Sequence, residues 1–479
     1  MKTTTQRLSE EHARSFRRPV PDRKFNVANQ VNRMGRGQVA RTQAPADEEM
    51  IVPGQRRWQC RPLRCWLAAF FIVAGPSLAA GQPTPQSTLK LVGTGAVGPT
   101  EQGWSVALSA DGRTAIVGGI VDNGLAGAAW VYTRSDGGWT QQGNKLVGTD
   151  AVGQGGQGVS VALSADGSTA IVGGPYDNRN TGAAWVYTRS GDIWSQQGSK
   201  LVGTGGVGRG GQGVSVALSA DGNTAIVGGP HDNTTTGAAW VYTRSGGIWT
   251  QQGGKLVGTG AAGSAGQGVS VALSADGNVA IVGGPHDNSF TGAAWVSSRS
   301  GGIWSQQGSK LVGTGAVGNA DQGWSVALSA DGNTAIVGGF ADNSYTGAVW
   351  VYTRSSGVWT QQGSKLVGVG AVGNADQGWS VALSADGNTV VVGGPRDNAY
   401  TGAAWVYSRG GTNWTQQGNK LVGSGAVGSA MQGSSVGLSA DGNTAIAGAL
   451  ADNRVTGAAW IHIRSGGVWP ANPAPSPGF

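Results

Sequence analysis

The sequence has little of what most catalytic and metal sites are built from. Only two of its 479 residues are cysteines, and both, Cys60 and Cys65, lie within the first 80 residues. Beyond residue 80 the chain has one glutamate, Glu101, and three histidines, which are His231, His286 and His462. That part of the chain therefore has no disulfide, no thiol nucleophile and no cysteine metal site. It also lacks the paired glutamates of many glycosidases.

Charged residues are scarce as well, at 12% of the chain, and the basic ones are unevenly placed. Residues 1–80 hold 14 Lys and Arg against 6 Asp and Glu, whereas residues 81–479 hold 19 against 20. The excess positive charge thus belongs to the beginning of the chain. Because nucleic-acid-binding surfaces are strongly basic, we expect no nucleic-acid partner for the remainder.

The first 80 residues differ in composition from the rest. Residues 1–49 are polar and have no period, and we expect them to be disordered or to precede a true start at Met50, with a cytoplasmic extension as the alternative. After Met50, arginines precede an apolar run and the small residues Ala79 and Ala80, an order typical of a secretory signal peptide. The apolar stretch of about 15 residues is shorter than the roughly 20 of a membrane helix.

We therefore predict a signal peptide over residues 50–80, cleaved after Ala79 or Ala80, and a linker over residues 81–87. The mature protein is expected to be secreted, periplasmic or at the cell surface, without a transmembrane span.

What the chain has in abundance is repetition. The string Leu-Ser-Ala-Asp-Gly occurs seven times, 55 residues apart, starting at residues 108, 163, 218, 273, 328, 383 and 438. Lys-Leu-Val-Gly keeps this period from Lys90 to Lys420, and one tryptophan series keeps it from Trp130 to Trp460. Units of this size bury their apolar faces by stacking on one another, in an open solenoid or a closed ring.

Each unit reads as four short strands. In the unit over residues 212–258 these are 214–219, 224–228, 237–243 and 248–257, and none has helical spacing. Asp221-Gly222 favours a hairpin with a two-residue turn, because both residues tolerate positive φ. Strands such as Trp240-Val241-Tyr242 are apolar on both faces, so each sheet must be covered on both sides. We therefore predict an all-β, seven-bladed β-propeller of four-stranded antiparallel blades.

The two ends of the chain predict how the ring closes. Residues 90–93 carry a Lys-Leu-Val-Gly segment ahead of the first unit, whereas the last unit lacks that segment and runs into a proline-rich tail over residues 470–479. We expect residues 87–95 to add the outer strand of the seventh blade, so that the propeller spans residues 88–469. We expect the protein to be monomeric.

The repeat resembles that of a known family. Residues 213–230 and 236–242, Gly-Val-Ser-Val-Ala-Leu-Ser-Ala-Asp-Gly-Asn-Thr-Ala-Ile-Val-Gly-Gly-Pro and Thr-Gly-Ala-Ala-Trp-Val-Tyr, are similar to the FG-GAP repeat. That repeat builds the seven-bladed propeller of integrin α chains and of many exported bacterial proteins. The resemblance implies a propeller, export and a role in binding or adhesion, and it covers about residues 88–469. Kelch repeats are a weaker match with the same architecture.

The chain departs from this family in two ways. The family's Phe-Gly is Gln-Gly here, as at Gln212, and only Gly448-Ala449 keeps the second Gly-Ala. The calcium loop of the integrin type, Asp-x-Asp-x-Asp-Gly, is absent, and one aspartate such as Asp221 cannot supply the six to eight oxygens that calcium takes. We therefore expect no cofactor, with calcium as the alternative that the resemblance to the family implies.

Candidate binding residues come from comparing the seven copies. The connections between strands two and three, and those between blades, vary most and are expected on one face, whereas the Ala-Asp-Gly hairpins of the other face do not vary. Aromatic and charged residues at such loops suit a ligand surface, although drift at unconstrained loop tips gives the same pattern. The candidates are Trp104, Tyr176, His231, His286, Phe290, Trp324, Tyr345, Trp379, Arg396 and Tyr400.

Two other features are weaker candidates for a metal or catalytic site. The seven Asp-Asn pairs, from Asp122 to Asp452, are interpreted as turn residues rather than as a ring of cation ligands. His231 and His286 occupy equivalent places in neighbouring copies, and about 10 Å between packed sheets is too far for one shared metal. We expect neither a catalytic nor a metal site.

Two functions remain open. The first is an exported, non-enzymatic binding or adhesion propeller that recognises a glycan or a cell-surface protein through the variable loops. The alternative is a propeller hydrolase or lyase that acts on an extracellular polysaccharide. Because an active site needs a convergent set of titratable groups, the first is favoured.

Overall fold

The chain folds into repeated antiparallel sheets, seen here in a computed structural model that describes residues 88–136 and 138–470. The expectations for the leader, signal peptide and linker fall on residues 1–87, which lie outside the described residues. So do residues 471–479 of the proline-rich tail.

Seven four-stranded antiparallel sheets make up the described chain, and they confirm the predicted all-β, seven-bladed propeller. The first strands are Ser105–Leu108, Ser160–Leu163, Ser215–Leu218, Ser270–Leu273, Ser325–Leu328, Ser380–Leu383 and Ser435–Leu438. The second strands are Thr114–Gly119, Thr169–Gly174, Thr224–Gly229, Val279–Gly284, Thr334–Gly339, Thr389–Gly394 and Thr444–Ala449. The third strands are Ala128–Ser135, Ala183–Ser190, Ala238–Ser245, Ala293–Ser300, Ala348–Ser355, Ala403–Gly410 and Ala458–Ile463.

The fourth strands of blades one to six are Gly138–Gln141, Ile193–Gln196, Ile248–Gln251, Ile303–Gln306, Val358–Gln361 and Asn413–Gln416. One-turn helical segments join the second strands to the third strands, at Asp122–Leu125, Asp177–Asn180, Asp232–Thr235, Asp287–Phe290, Asp342–Tyr345, Asp397–Tyr400 and Asp452–Val455. First strands contact the first strands of both neighbouring blades, the seventh and first included, so they form the inner wall of a closed ring.

Apolar packing between blades holds the ring together. In the third blade Trp240 and Tyr242 pack with Ile171 and Val186 of the second blade. Val241, on the opposite face of the same strand, packs with residues of the fourth blade. Each sheet is therefore covered on both sides, which is why its strands are apolar on both faces.

The strand β1 (Leu89–Leu91) closes the ring. It pairs antiparallel with the third strand of the seventh blade, with Leu89 opposite Ile461 and Leu91 opposite Ala459. In the other blades the equivalent leucine follows the fourth strand in the chain, as Leu256 does opposite Ala239. The predicted closure by the N-terminal segment is confirmed.

The glycine of each Lys-Leu-Val-Gly segment allows the backbone to lie close to the buried tryptophan of the next blade. A Cβ on Gly258 would overlap the indole of Trp295, which is 1% exposed. The glutamine of the repeated Gln-Gly pair holds the same glycine, because Gln267 Nε2 donates to Gly258 O at 3.1 Å and Gln267 Oε1 accepts the Gly258 N–H. Gln267 is fully buried, so this position serves as a polar anchor.

Two local expectations were wrong. The fourth strand predicted over residues 248–257 ends at Gln251, and the chain bends before Leu256 pairs again. The first hairpin is not a two-residue turn, since only Gly222 has positive φ. Asp221 instead accepts hydrogen bonds from the Ser219 hydroxyl and the Asn223 N–H, which keeps it out of the left-handed region.

The two faces of the propeller differ in their connections. The hairpin face carries the first hairpins, and there Ala110 N–H donates to Ala165 O of the next blade. This bond recurs at every blade until Ala440 N–H donates to Ala110 O, with N···O distances of 2.8–3.0 Å. The loop face carries the one-turn segments and the connections between blades.

Candidate functional site

Connections from neighbouring blades interlock on the loop face. Gly237, which follows the one-turn segment of the third blade, pairs in parallel with Gln267 of the connection to the fourth blade. The Gly266 N–H donates to Thr235 O at 2.8 Å in the same joint. Gln102 and Gly457 make the equivalent pair between the last and first blades. The variable positions of the two connections therefore lie side by side, as the sequence predicts.

The Asp-Asn pairs bind other segments of the chain. Asp232 Oδ1 accepts the Val207 N–H at 2.6 Å, and the Asn233 N–H donates to Val207 O at 2.9 Å. Asp232 Oδ2 pairs with Lys255 of the Lys-Leu-Val-Gly segment. The pair recurs in all seven blades, and in the last blade it joins Lys90 to Asp452 at 2.6 Å. These buried carboxylates fix the loop face, which agrees with a structural role rather than a cation ring.

The one-turn segments place the aromatic candidates. Phe290, Tyr345 and Tyr400 are each the third residue in a row with positive φ, at 69–71°. Bulky residues seldom adopt this conformation, and here it is imposed by the Asp-Asn anchor and by the hydrogen bond from Gly292 N–H to Asp287 O that closes the turn. Phe290 and Tyr400 are about half exposed, at 45% and 47%.

Five of the ten candidates come together on the fifth and sixth blades. The ring centres of Trp324 and Trp379 are 5.0 Å apart, and both rings make T-shaped contacts with Phe340, with centre distances of 4.8 and 4.9 Å. Tyr345 lies 6.1 Å from Phe340. The Arg396 guanidinium lies 5.9 Å from the ring centres of Tyr345 and Tyr400. We call these residues the aromatic cluster: Trp324, Phe340, Tyr345, Trp379, Arg396 and Tyr400.

Phe340 and Asp376 are the members of this site that sequence reasoning missed. Phe340 is 1% exposed and lies beneath the two tryptophans, at a position where four copies have proline. Asp376 is fully buried, and its Oδ2 lies 3.1 Å from Arg396 Nε. The signal was present, because Phe340 is the single aromatic residue at its repeat position.

Trp104 and Tyr176 lie outside the aromatic cluster. Trp104 is partly buried and packs with Ile120, Leu125 and Val159 at the joint of the first and second blades. Tyr176 is buried, and burial, followed by the negative charge of Glu101, raises the pKa of its hydroxyl. Both side chains mainly stabilise the loop face.

The remaining candidates line a separate cleft between the third and fourth blades. His231, His286 and Phe290 border this cavity of about 590 Å³, together with Pro230 and Val269. The imidazole of His286 and the ring of Phe290 are 5.1 Å apart. Burial lowers the pKa of His231, so this imidazole is neutral near pH 7. Eight of the ten predicted residues thus lie in two separate regions of the loop face, the aromatic cluster and this cleft.

This division follows a pattern of three repeat positions. Blades two to four have Gly156, Gly211 and Gly266 on the connection, each followed three residues later by valine, and carry Tyr176, His231 and His286 on the one-turn side. Blades five and six have Asp321 and Asp376, each followed three residues later by tryptophan. The rings of Tyr176 and His231 lie directly against the glycines of their own blades, so the two sets are alternative packing solutions.

Within the part of the chain that the structure describes, no group of three or more His, Cys, Asp or Glu side chains is placed to hold a metal ion. No helix among those residues is long and apolar enough to cross a membrane.

No family model matches the chain. No curated protein matches it either. The resemblance to FG-GAP repeats stays a prediction that rests on the residues given above.

Proposed function

We propose that this protein is a non-enzymatic binding module that recognises carbohydrate with its loop face, through the aromatic cluster. The observation that carries the proposal is the convergence of Trp324, Tyr345, Trp379, Arg396 and Tyr400 on two adjacent blades. All five occupy repeat positions whose residues vary among the seven copies.

The chemistry of the cluster suits a sugar ring. Tryptophan and tyrosine offer large apolar surfaces that end in a hydrogen-bonding group, and a sugar offers apolar C–H faces edged by hydroxyls. Phe340 is buried and holds Trp324 and Trp379 at fixed angles, so these rings lose little freedom on binding. Rigid aromatic groups of this kind contribute most of the affinity at many binding surfaces.

We further propose that the protein is exported and acts outside the cytoplasm, as an FG-GAP type of propeller. The signal-peptide pattern over residues 50–80 and the repeat sequence support this. A carbohydrate on a cell surface or in an extracellular matrix would then be accessible to the loop face.

The test is binding of the full-length chain to an array of oligosaccharides built from glucose, N-acetylglucosamine, mannose and uronic acids. Binding to a defined subset is expected. Tyr400→Ala should then weaken that binding by about tenfold, because it removes an aromatic anchor. Phe290→Ala is the matched control, since Phe290 has the same repeat position, backbone conformation and exposure but lies at the cleft.

An equal loss in both variants would contradict a site at the aromatic cluster, and silence across the array would contradict carbohydrate binding. Turnover of an oligosaccharide, measured as new reducing ends or unsaturated products, would instead favour the hydrolase or lyase.

A further inference from the structure

Resting on the proposed function, we propose that the carbohydrate is acidic and that the Arg396 guanidinium binds a sugar carboxylate at the edge of the aromatic cluster. The ligand class is thus a uronic-acid-containing glycan.

Arginine occurs once at this repeat position. The other six copies have Val121, Tyr176, His231, His286, Ala341 and Ala451. The blade fold therefore forms without a cation here, and the surrounding anchors, such as Asp397 with Lys420 at 2.6 Å, are the same as in the other blades. The arginine is an addition to the shared structure rather than a part of it.

The contacts of Arg396 fix the orientation of its guanidinium. Its Nε lies 3.1 Å from Oδ2 of Asp376, which is fully buried, whereas the Arg396 side chain is 29% exposed. The rings of Tyr345 and Tyr400 are each 5.9 Å from the guanidinium carbon. Because the contact with Asp376 is made through Nε, the Nη1–Nη2 edge of the guanidinium remains for a ligand.

That edge matches a carboxylate. Two parallel N–H donors of a guanidinium bind the two oxygens of a carboxylate, and such charge-assisted pairs are stronger than neutral hydrogen bonds. Because Asp376 and two aromatic rings already order the side chain, little rotamer entropy remains to be lost on binding. The apolar surroundings also weaken the screening of the pair by water.

The arrangement joins two kinds of recognition at one place. A uronic acid has an apolar ring face, which the tryptophans and tyrosines suit, and a carboxylate at the rim of the ring, which Arg396 suits. A neutral sugar would use the aromatic surface but leave the guanidinium edge in water. We therefore expect acidic sugars to bind more tightly than their neutral counterparts.

The experiment compares matched ligands on the full-length chain. The probes are oligogalacturonates, oligoglucuronates and oligomannuronates of equal length, each beside its methyl ester, which keeps the ring and removes the charge. Calorimetry should show at least one acid binding about tenfold or more tightly than its ester. In Arg396→Gln this preference should disappear, whereas Arg396→Lys should retain only part of it, since an ammonium lacks the fork.

Two controls keep the result specific. Arg179→Gln removes an exposed arginine of the loop face in the second blade and should leave the preference unchanged. The double variant Arg396→Gln/Asp376→Asn removes the buried carboxylate together with the cation beside it, and it should behave like Arg396→Gln while it melts as the parent protein does.

The outcomes separate this inference from the proposed function. Equal binding of acids and esters, or an acid preference that survives Arg396→Gln, overturns the inference. Equal losses in Arg396→Gln and Arg179→Gln also overturn it, because the effect is then long-range electrostatics. If neutral oligosaccharides bind and Tyr400→Ala abolishes their binding, the proposed function stands without the acidic specificity. If no oligosaccharide binds, both fall.

Discussion

His462 is a buried histidine in the blade that closes the ring. It is 1% exposed, and neither ring nitrogen has a hydrogen-bond partner among the described residues. Burial lowers the pKa of His462 to about 4. Of the other six copies, five have tyrosine at this position, and the fourth copy has Ser297. The closing blade thus contains a group that is tolerated only in its neutral form.

This histidine predicts a loss of stability in mild acid. Above its ordinary pKa of about 6.5 the imidazole is neutral in both folded and unfolded chains and has no effect. As the pH falls from about 6.5 to about 4, the unfolded chain binds a proton that the folded chain excludes, and the free energy of unfolding drops by up to about 3 kcal/mol. Denaturant titrations from pH 7.5 to 4.5 should show this loss reduced in His462→Tyr. A parallel loss in both proteins would assign it to other groups.

At the scale of residues, the sequence identified the variable aromatic side chains but could not show which of them contact one another in space. Trp104 and Trp324 share a repeat position, yet Trp104 packs into the joint of its own blade while Trp324 contacts Trp379 and Phe340. The difference depends on neighbours in space, because Phe340 in one copy and Ile120 in another occupy the equivalent place beneath. The Arg396 pair with Asp376 was hidden for the same reason.

Among the elements, β1 is only three residues long, but its contacts stabilise the closed ring. It covers Trp460, with Lys90 Nζ 5.1 Å from that ring, and places Lys90 beside the buried carboxylate of Asp452. Its removal would leave Asp452 buried without its cation and expose the edge of the third strand.

Deletion of residues 82–95 should therefore lower the melting temperature by about 10 °C or more, given the cost of an uncompensated buried charge and the lost apolar contacts. Differential scanning calorimetry of the variant and the parent protein measures this. Removal of residues 472–479 serves as the control and should leave the melt unchanged. An unchanged melt after the first deletion would contradict closure by β1.

The strands were predictable because their period of two and their turn residues are local signals. The wrong prediction for the first hairpin is also local in origin. Gly246 and Gly247 both have positive φ and form the two-residue turn of the second hairpin, whereas the Asp221 turn depends on side-chain hydrogen bonds. The one-turn segments were missed because their left-handed conformation is imposed by Val207 and Lys255, which lie far away along the chain.

The propeller is a ring whose seam lies where β1 pairs with the third strand of the seventh blade. Residues 88–470 are two residues short of seven complete units, and in the third blade Gln251 and Gln252 fill the corresponding gap. Seven identical spacings made the ring predictable from the sequence. The ligand was not, since it depends on a few positions that break the symmetry.

A circular permutant should accordingly fold as well as the parent. In this variant Pro470 is joined to Thr88 through Gln-Gln, and the chain is opened between Gly143 and Asn144, both exposed. Because every blade pairing is retained, the melting temperature should stay within about 5 °C of the parent value. Circular dichroism and light scattering check fold and mass. A poorly folded or associated permutant would show that the natural seam has a special role.

The bonds that link Ala110 to Ala440 around the hairpin face give the ring a mechanical property. Each of the seven alanines donates to the next and accepts from the one before, so the circle has no terminal donor or acceptor. A force that displaces one blade outward would act on this closed circle, and all seven hydrogen bonds would share the load. Opening the ring between any two blades must therefore break one of these hydrogen bonds.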